Sequence, residues 1–112
     1  MMNQKSPNEY HSKVFNLSEM LAYQEGSVVS KTLIEKKVGT ITLFSFDKGQ
    51  GLSEHTAPFD AVVYIIEGKA DIILSKKSNI LTSGQMLIMP ANEPHALKAL
   101  EKFKMMLIMI KE

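Results

Sequence analysis

Gly49-Gln-Gly-Leu-Ser-Glu-His55-Thr-Ala57-Pro-Phe-Asp60-Ala61-Val-Val-Tyr-Ile-Ile-Glu67-Gly68 is the stretch that decides the fold. Strands are expected over 52–56 and 61–67, parted by Pro58 and stopped by Gly68, which is the punctuation of antiparallel strands. A second stretch, Gly84-Gln-Met-Leu-Ile-Met-Pro90-Ala-Asn92-Glu-Pro94-His95-Ala-Leu-Lys-Ala99, has the same form, with strands over 86–89 and 95–100 around the break from Pro90 to Pro94. Further out, strands over 28–35 and 40–46 flank a turn at Lys36-Lys37-Val38-Gly39, and others cover 70–74, 80–81 and 104–110. Lys76-Lys77-Ser78-Asn79 and Ser83-Gly84 serve as turns between them. Strand alternation puts Leu43 and Ser45 on one side, Phe44 and Phe46 on the other. Val14-Phe15 reads as a short edge strand, and Ser18 as the cap of one helical turn. So many short strands favour an all-β, antiparallel barrel or sandwich over an α/β fold.

The two stretches resemble the paired motifs of the cupin family, G-x5-H-x-H-x3-E-x6-G and G-x5-P-x-G-x2-H-x3-N. Gly49, His55 and Gly68 match the first motif, with Ala57 and Ala61 where its second His and its Glu belong. Gly84, Pro90 and His95 match the second, in which Asn92 replaces a Gly and Ala99 an Asn. Asn is among the few residues that tolerate positive φ, so the first of those exchanges is mild. The resemblance implies a small single-domain cupin, a double-stranded β-helix or jelly roll with a degenerate metal site. The expected organisation is a polar arm over residues 1–13 and one barrel domain over 14–112.

Length and composition agree with one core: 112 residues, 45% hydrophobic, with a net charge of +1. That charge argues against a nucleic-acid footprint. All 13 basic residues are Lys, so no guanidinium fork is present for a carboxylate or phosphate. There is no Cys, which fits a reducing compartment, and no apolar run approaches the roughly 20 residues of a membrane span. A soluble, cytoplasmic protein with neither nucleic-acid nor membrane partner is the expectation. Val62-Val-Tyr-Ile-Ile66 and Met105-Met-Leu-Ile-Met-Ile110 are apolar on both faces, so the outer face of the barrel calls for a cover. By the cupin resemblance that cover is a second copy, in a homodimer with the N-terminal arm crossing over; the alternative is the arm folding over its own sheet.

Chemistry turns on His55 and His95. Alternation points His55, Ala57, Ala61, Val63 and Ile65 into the barrel, where His95 is expected to face His55 across the pocket. Two imidazoles can hold a divalent metal, Zn, Fe, Mn or Ni, but stable sites normally use three or four protein ligands. Asp60, one position before the missing Glu, is the best candidate for a further ligand; its competing use is in a turn, through its own hydrogen bonds. Glu54 is expected to point outward. Leu43, Ala57, Ala61, Val63, Ile65, Leu87, Met89 and Leu97 form the expected pocket lining, suited to a small apolar or aromatic ligand. His11, in the polar arm, matches neither motif.

Three functions follow. The first is a non-catalytic module that binds a small molecule or a divalent metal between His55 and His95. The second is a metal-dependent enzyme of the cupin dioxygenase or isomerase type, and the third a metal-free acid–base pair of histidines. No catalytic residue is assigned, and whether the protein is an enzyme stays open at this point, because one fold hosts many functions.

Overall fold

Nine strands make up the computed structural model, which describes residues 9–111. They are β1 (Val28–Lys36), β2 (Gly39–Phe46), β3 (Gly51–His55), β4 (Asp60–Glu67), β5 (Lys69–Leu74), β6 (Lys77–Thr82), β7 (Met86–Met89), β8 (His95–Ala99) and β9 (Phe103–Ile110). All pairings are antiparallel, in a five-stranded sheet of order β1-β2-β9-β4-β7 and a four-stranded sheet of order β3-β8-β5-β6. Short connections carry the chain between the sheets at every step from β2 to β9 except the β5–β6 hairpin. The architecture is the all-β double-sheet barrel that the strand spacing predicts. None of the described helices is long and apolar enough to cross a membrane.

Three local expectations need correction. Val14 and Phe15 form no strand and are exposed. The helical turn is a 3-10 turn over Leu17–Glu19 preceded by Asn16, whose amide bonds Glu19 at 3.3 Å, so Ser18 is no cap. The turn after β5 is Ser75-Lys76, with φ of 48° and 67°, and not the four residues 76–79. Lys77-Ser78-Asn79 look like loop residues but belong to β6, because β5 satisfies their polar groups. Asp71 accepts from the Ser78 hydroxyl at 2.6 Å and the Asn79 N–H at 3.1 Å, and Asn79 donates its amide to the Ile72 carbonyl.

Alternation sorts each strand of the larger sheet into two faces. Phe44, Phe46, Ala61, Val63, Ile65, Met89, Phe103 and Met105 point inward and pack with Ala70, Ile72, Leu81, Leu97 and Ala99 of the smaller sheet. Phe46 and Phe103 stack at 4.5 Å in the last inward row, at the end away from the histidines. Gly68 makes the close approach beside them possible. It holds φ +90°, and a Cβ there would run into the Lys102 carbonyl and come within 2.5 Å of the Phe103 Cα.

Residues 18–23 cross the outer face of the same sheet and are stapled to it. Lys31 donates to the Met20 carbonyl at 2.9 Å, Ser45 to the Ala22 carbonyl at 3.0 Å, and the buried Lys104 to the Ser18 carbonyl. Tyr23 donates to Glu67 at 2.6 Å, and its phenol is held well above the ordinary tyrosine range by burial first and by that carboxylate second. Leu43 lies under this strap. It shares a face with Ser45 and pairs with Met106, opposite to Phe44 and Phe46, so it is no part of the barrel lining. Residues 9–15 also lie on the chain's own sheet, where Tyr10, Phe15, Leu33, Ile41 and Met106 help to line an apolar groove of about 310 Å³. The first eight residues of the arm fall outside the described residues. His11 is exposed.

Candidate functional site

His55 ends β3 and His95 begins β8, and these are neighbouring strands of one sheet. The two rings meet edge to face with centroids 4.3 Å apart, so they are a cross-strand pair and do not face each other across the barrel. A bulge makes the pairing. Leu52 opposes Leu97, but three residues of β3 then match two of β8, so that His55 opposes His95. An unbulged ladder would place Glu54 there. Glu54 instead points outward to an exposed ion pair with Lys76 at 3.3 Å, a contact of small energetic weight.

Both imidazoles are held in the same way. His55 Nδ1 lies 2.8 Å from the Ser53 carbonyl and His95 Nδ1 lies 3.0 Å from the Glu93 carbonyl. A carbonyl oxygen can only accept, so each Nδ1 carries the proton and, in the neutral ring, each Nε2 keeps its lone pair. His95 is 6% exposed, whereas His55 is exposed at the rim.

Rim and interior are separated by strand register. Ala61 pairs with Met89 and with Met109, forming the inward row at the histidine end of the larger sheet. The connections 56–59 and 90–94 tie that row directly to His55 and His95. Val63 and Leu87 form the next row, and Ile65 lies one row deeper, in the packed core. Ala61, Val63, Ile65, Met89 and Leu97 are buried, while Leu87 and Ala57 are half-buried. Of the expected lining, then, Ala57, Ala61 and Met89 lie nearest the histidines along the chain and register, Val63, Ile65, Leu87 and Leu97 lie deeper, and Leu43 is on the outer face.

Asp60 does not join the pair. Its carboxylate accepts the Ala91 N–H at 2.9 Å, 31 positions along the chain, and latches the loop that leads into His95, a long-range tie in place of the local turn bond expected of it. Asn92 takes φ +69°, the positive value that its place in the motif requires, and its N–H donates to the Ala57 carbonyl at 2.7 Å. Among the described residues no three His, Cys, Asp or Glu side chains come together as a metal-binding group. The donor set for a metal is two nitrogens; the positions that would complete a four-ligand cupin set carry methyl groups.

The cupin-domain family model matches residues 42–111, which span β2 to the end of β9 and hold both histidines. The chain belongs to the cupin family. Solved relatives agree along the whole barrel. A conserved protein of unknown function from Streptococcus pyogenes is 38% identical, with a TM-score of 0.88 over 94% of this chain and 92% of that one. A cupin 2 conserved barrel domain protein from Leptotrichia buccalis is 43% identical, with a TM-score of 0.84 over 87% of this chain, which spans only 47% of that longer protein. A cupin superfamily protein from Desulfitobacterium hafniense, 28% identical, superposes with a TM-score of 0.86 over 90% of this chain and 93% of that one. The curated proteins contain no match. One polar group at the rim of this cupin has no signal in the motifs: Thr40, whose buried hydroxyl has no hydrogen-bond partner among the described residues.

Proposed function

We propose that this cupin is a small-molecule-binding module whose ligand donates a hydrogen bond to the imidazoles of His55 and His95. The observation that carries this reading is the shared tautomer: with both Nδ1–H groups committed to backbone carbonyls, two acceptor nitrogens are left on rings whose centroids lie 4.3 Å apart. Ligand sites commonly combine an apolar wall with a few fixed polar groups. A small, weakly polar or aromatic molecule is the class that fits, and no catalytic residue is assigned. The same nitrogens would serve a divalent metal, Zn, Fe, Mn or Ni, since metal-binding histidines usually hand their other N–H to a carbonyl. Two ligands do not fit the closed set of a cupin dioxygenase or isomerase, and that activity is the weaker reading.

Phenol and Zn2+ are the probes, with histidine ring 15N shifts as the readout. Phenol is expected to move the Nε2 signals of both residues in the wild type and to lose its effect in His55→Ala and His95→Ala. Stoichiometric Zn in untagged protein, absent from the double variant, would favour the metal reading. No Nε2 response to either probe would sink both.

For the outer face we propose a second copy. Register aligns Ile34, Ile41, Ile108, Val62 and Ile88 in one row across all five strands, and Ile88 is 54% exposed. Residues 9–15 lie over the Ile34 and Ile41 end of this row in the same chain, so the open Ile88 end is what two copies would bury about a two-fold axis. Sedimentation should give a dimer for the wild type and a monomer for Ile88→Lys; equal masses would refute it. A cytoplasmic setting is in keeping with a chain that has no Cys, and would be overturned by recovery of the native protein from an extracytoplasmic fraction.

A further inference from the structure

Thr40 is 7% exposed, and its hydroxyl is buried without a hydrogen-bond partner among the described residues. A buried polar group left unpaired is costly, and native structures rarely keep one without a reason. The register says where this one points. Thr40 pairs with Met109, Met109 with Ala61, and Ala61 with Met89, in ladders unbroken along this stretch. Directly opposed residues share a face, and Met109, Ala61 and Met89 are on the core side, so Thr40 points inward in the row at the histidine end. In the next row Thr32 opposes Thr42, which extends the line of hydroxyls down the same wall.

The charge around that wall constrains what it can hold. Lys31 pairs with Leu43 and Lys104 with Ser45, both on the outer face, and the chain has no Arg. Among the described residues of this sheet no lysine lies on the inner face to meet an anion, and the residue opposite Thr40 is the exposed Glu35. Met89 and Met109 flank Ala61 in this row, and thioethers make favourable contacts with the edges of aromatic rings.

We infer that Thr40 is a second polar anchor of the barrel site, and that its ligand is a small uncharged aromatic ring carrying two hydroxyl groups. One hydroxyl donates to a histidine Nε2 and the other exchanges a hydrogen bond with Thr40 Oγ1. This rests on the reading of His55 and His95 given under the proposed function, so the test must separate the two.

Phenol offers one hydroxyl and resorcinol two. Affinities for both are to be measured by the histidine 15N shifts in the wild type, in Thr40→Val, which keeps the branched shape without the oxygen, and in Thr40→Ser, which keeps the oxygen. The wild type is expected to prefer resorcinol by roughly tenfold, about the worth of one net hydrogen bond. Thr40→Val should bind the two probes alike, and Thr40→Ser should restore the preference. Without ligand, Thr40→Val should unfold at the same or a higher urea concentration than the wild type, since it removes an unpaired group; a lower midpoint would mean the hydroxyl is structural and would overturn the inference. Equal binding of both probes by the wild type, or a preference that survives in Thr40→Val, would also overturn it while leaving the histidine site intact. No Nε2 shift with either probe would end both proposals.

Discussion

Putting ligands back at Ala57 and Ala61 tests the placement of the site more severely than removing what is there. In the variant Ala57→His, Ala61→Glu, the new carboxylate replaces a methyl that is 4% exposed, in an inward row between Met109 and Met89. Its two neighbours in that row, both thioethers, offer it no cation and no hydrogen-bond donor. An uncompensated buried charge costs about 3–5 kcal/mol, or is avoided by protonation at a comparable cost to the ion. Against a typical domain stability of about 5–15 kcal/mol this is a large loss. At about 4 °C per kcal/mol for a chain of this length, melting in EDTA should fall by roughly 12–20 °C. Metal should reverse it. With free Zn2+ about a thousandfold above its dissociation constant, binding returns about 4 kcal/mol, close to the loss. The assay is thermal unfolding followed by circular dichroism, with EDTA and with Zn2+, for wild type and variant. A variant as stable as the wild type in EDTA would show that Ala61 does not face a dry interior. A Zn2+ shift no larger than that of the wild type would show that positions 55, 57, 61 and 95 do not converge.

Other outcomes follow from single contacts. Asp60→Ala removes the acceptor for the Ala91 N–H and should lower stability by about 1 kcal/mol in urea titrations while leaving the Zn content of untagged protein unchanged; a loss of metal would restore Asp60 to the ligand set. Gly68→Ala forces a Cβ onto the Lys102 backbone at φ +90°, so its unfolding free energy should drop by more than about 2 kcal/mol, and a smaller drop would mean the β4–β5 corner is free to open. Asp47 accepts from the Gly26 N–H at 2.7 Å and the Lys48 N–H at 2.9 Å, which hold its carboxyl below the usual range. A lowered folded-state value stabilises above the unfolded value, about pH 4, and the stabilisation fades as pH falls through the folded one. Urea midpoints of Asp47→Asn should therefore depend less steeply on pH in the acid limb than those of the wild type; parallel curves would contradict this.

Most of the barrel was legible because period-two alternation and the Pro and Gly breaks are local signals, and they located eight of the strands to within a residue or two. The start of β6 and the inner face of β2 were misplaced because partners on other segments decide them. Lys77-Ser78-Asn79 read as a turn until Asp71 and Ile72 of the neighbouring strand took up their polar groups. Leu43 and Phe44 were correctly put on opposite faces, but which face is the interior depends on the strap of residues 18–23, whose grip through carbonyls and lysines leaves no motif. At the site, both histidines and the tolerance of Asn92 for positive φ were readable from spacing. Asp60 was not, because a carboxylate that bonds a loop N–H and one that binds a metal look alike in sequence. Thr40 was invisible for a similar reason: a Thr in a strand is ordinary until its row is known to face inward with the hydroxyl unpaired.

The β3 bulge bears on whether the histidine pair is a relic. From Leu52 opposite Leu97, a regular ladder would set Glu54 against His95, where a carboxylate could pair with an imidazole. The extra residue forgoes that contact and interrupts the strand hydrogen bonding, leaving Glu54 with an exposed lysine partner of little worth. What it brings about instead is the edge-to-face apposition of two rings whose Nδ1–H groups are already bonded to backbone carbonyls. Stability alone favours the regular register. The irregular one makes physical sense if the two Nε2 atoms act on a third body, and deletion of Ser53 should decide it. If the bulge serves stability, the deletion variant will be weaker than the wild type. If it serves a ligand, the variant, whose straightened ladder keeps His55 opposite His95 and sets Glu54 opposite Ala96 but lacks the Ser53 carbonyl that orients the His55 ring, will hold its stability and lose the histidine response to phenol.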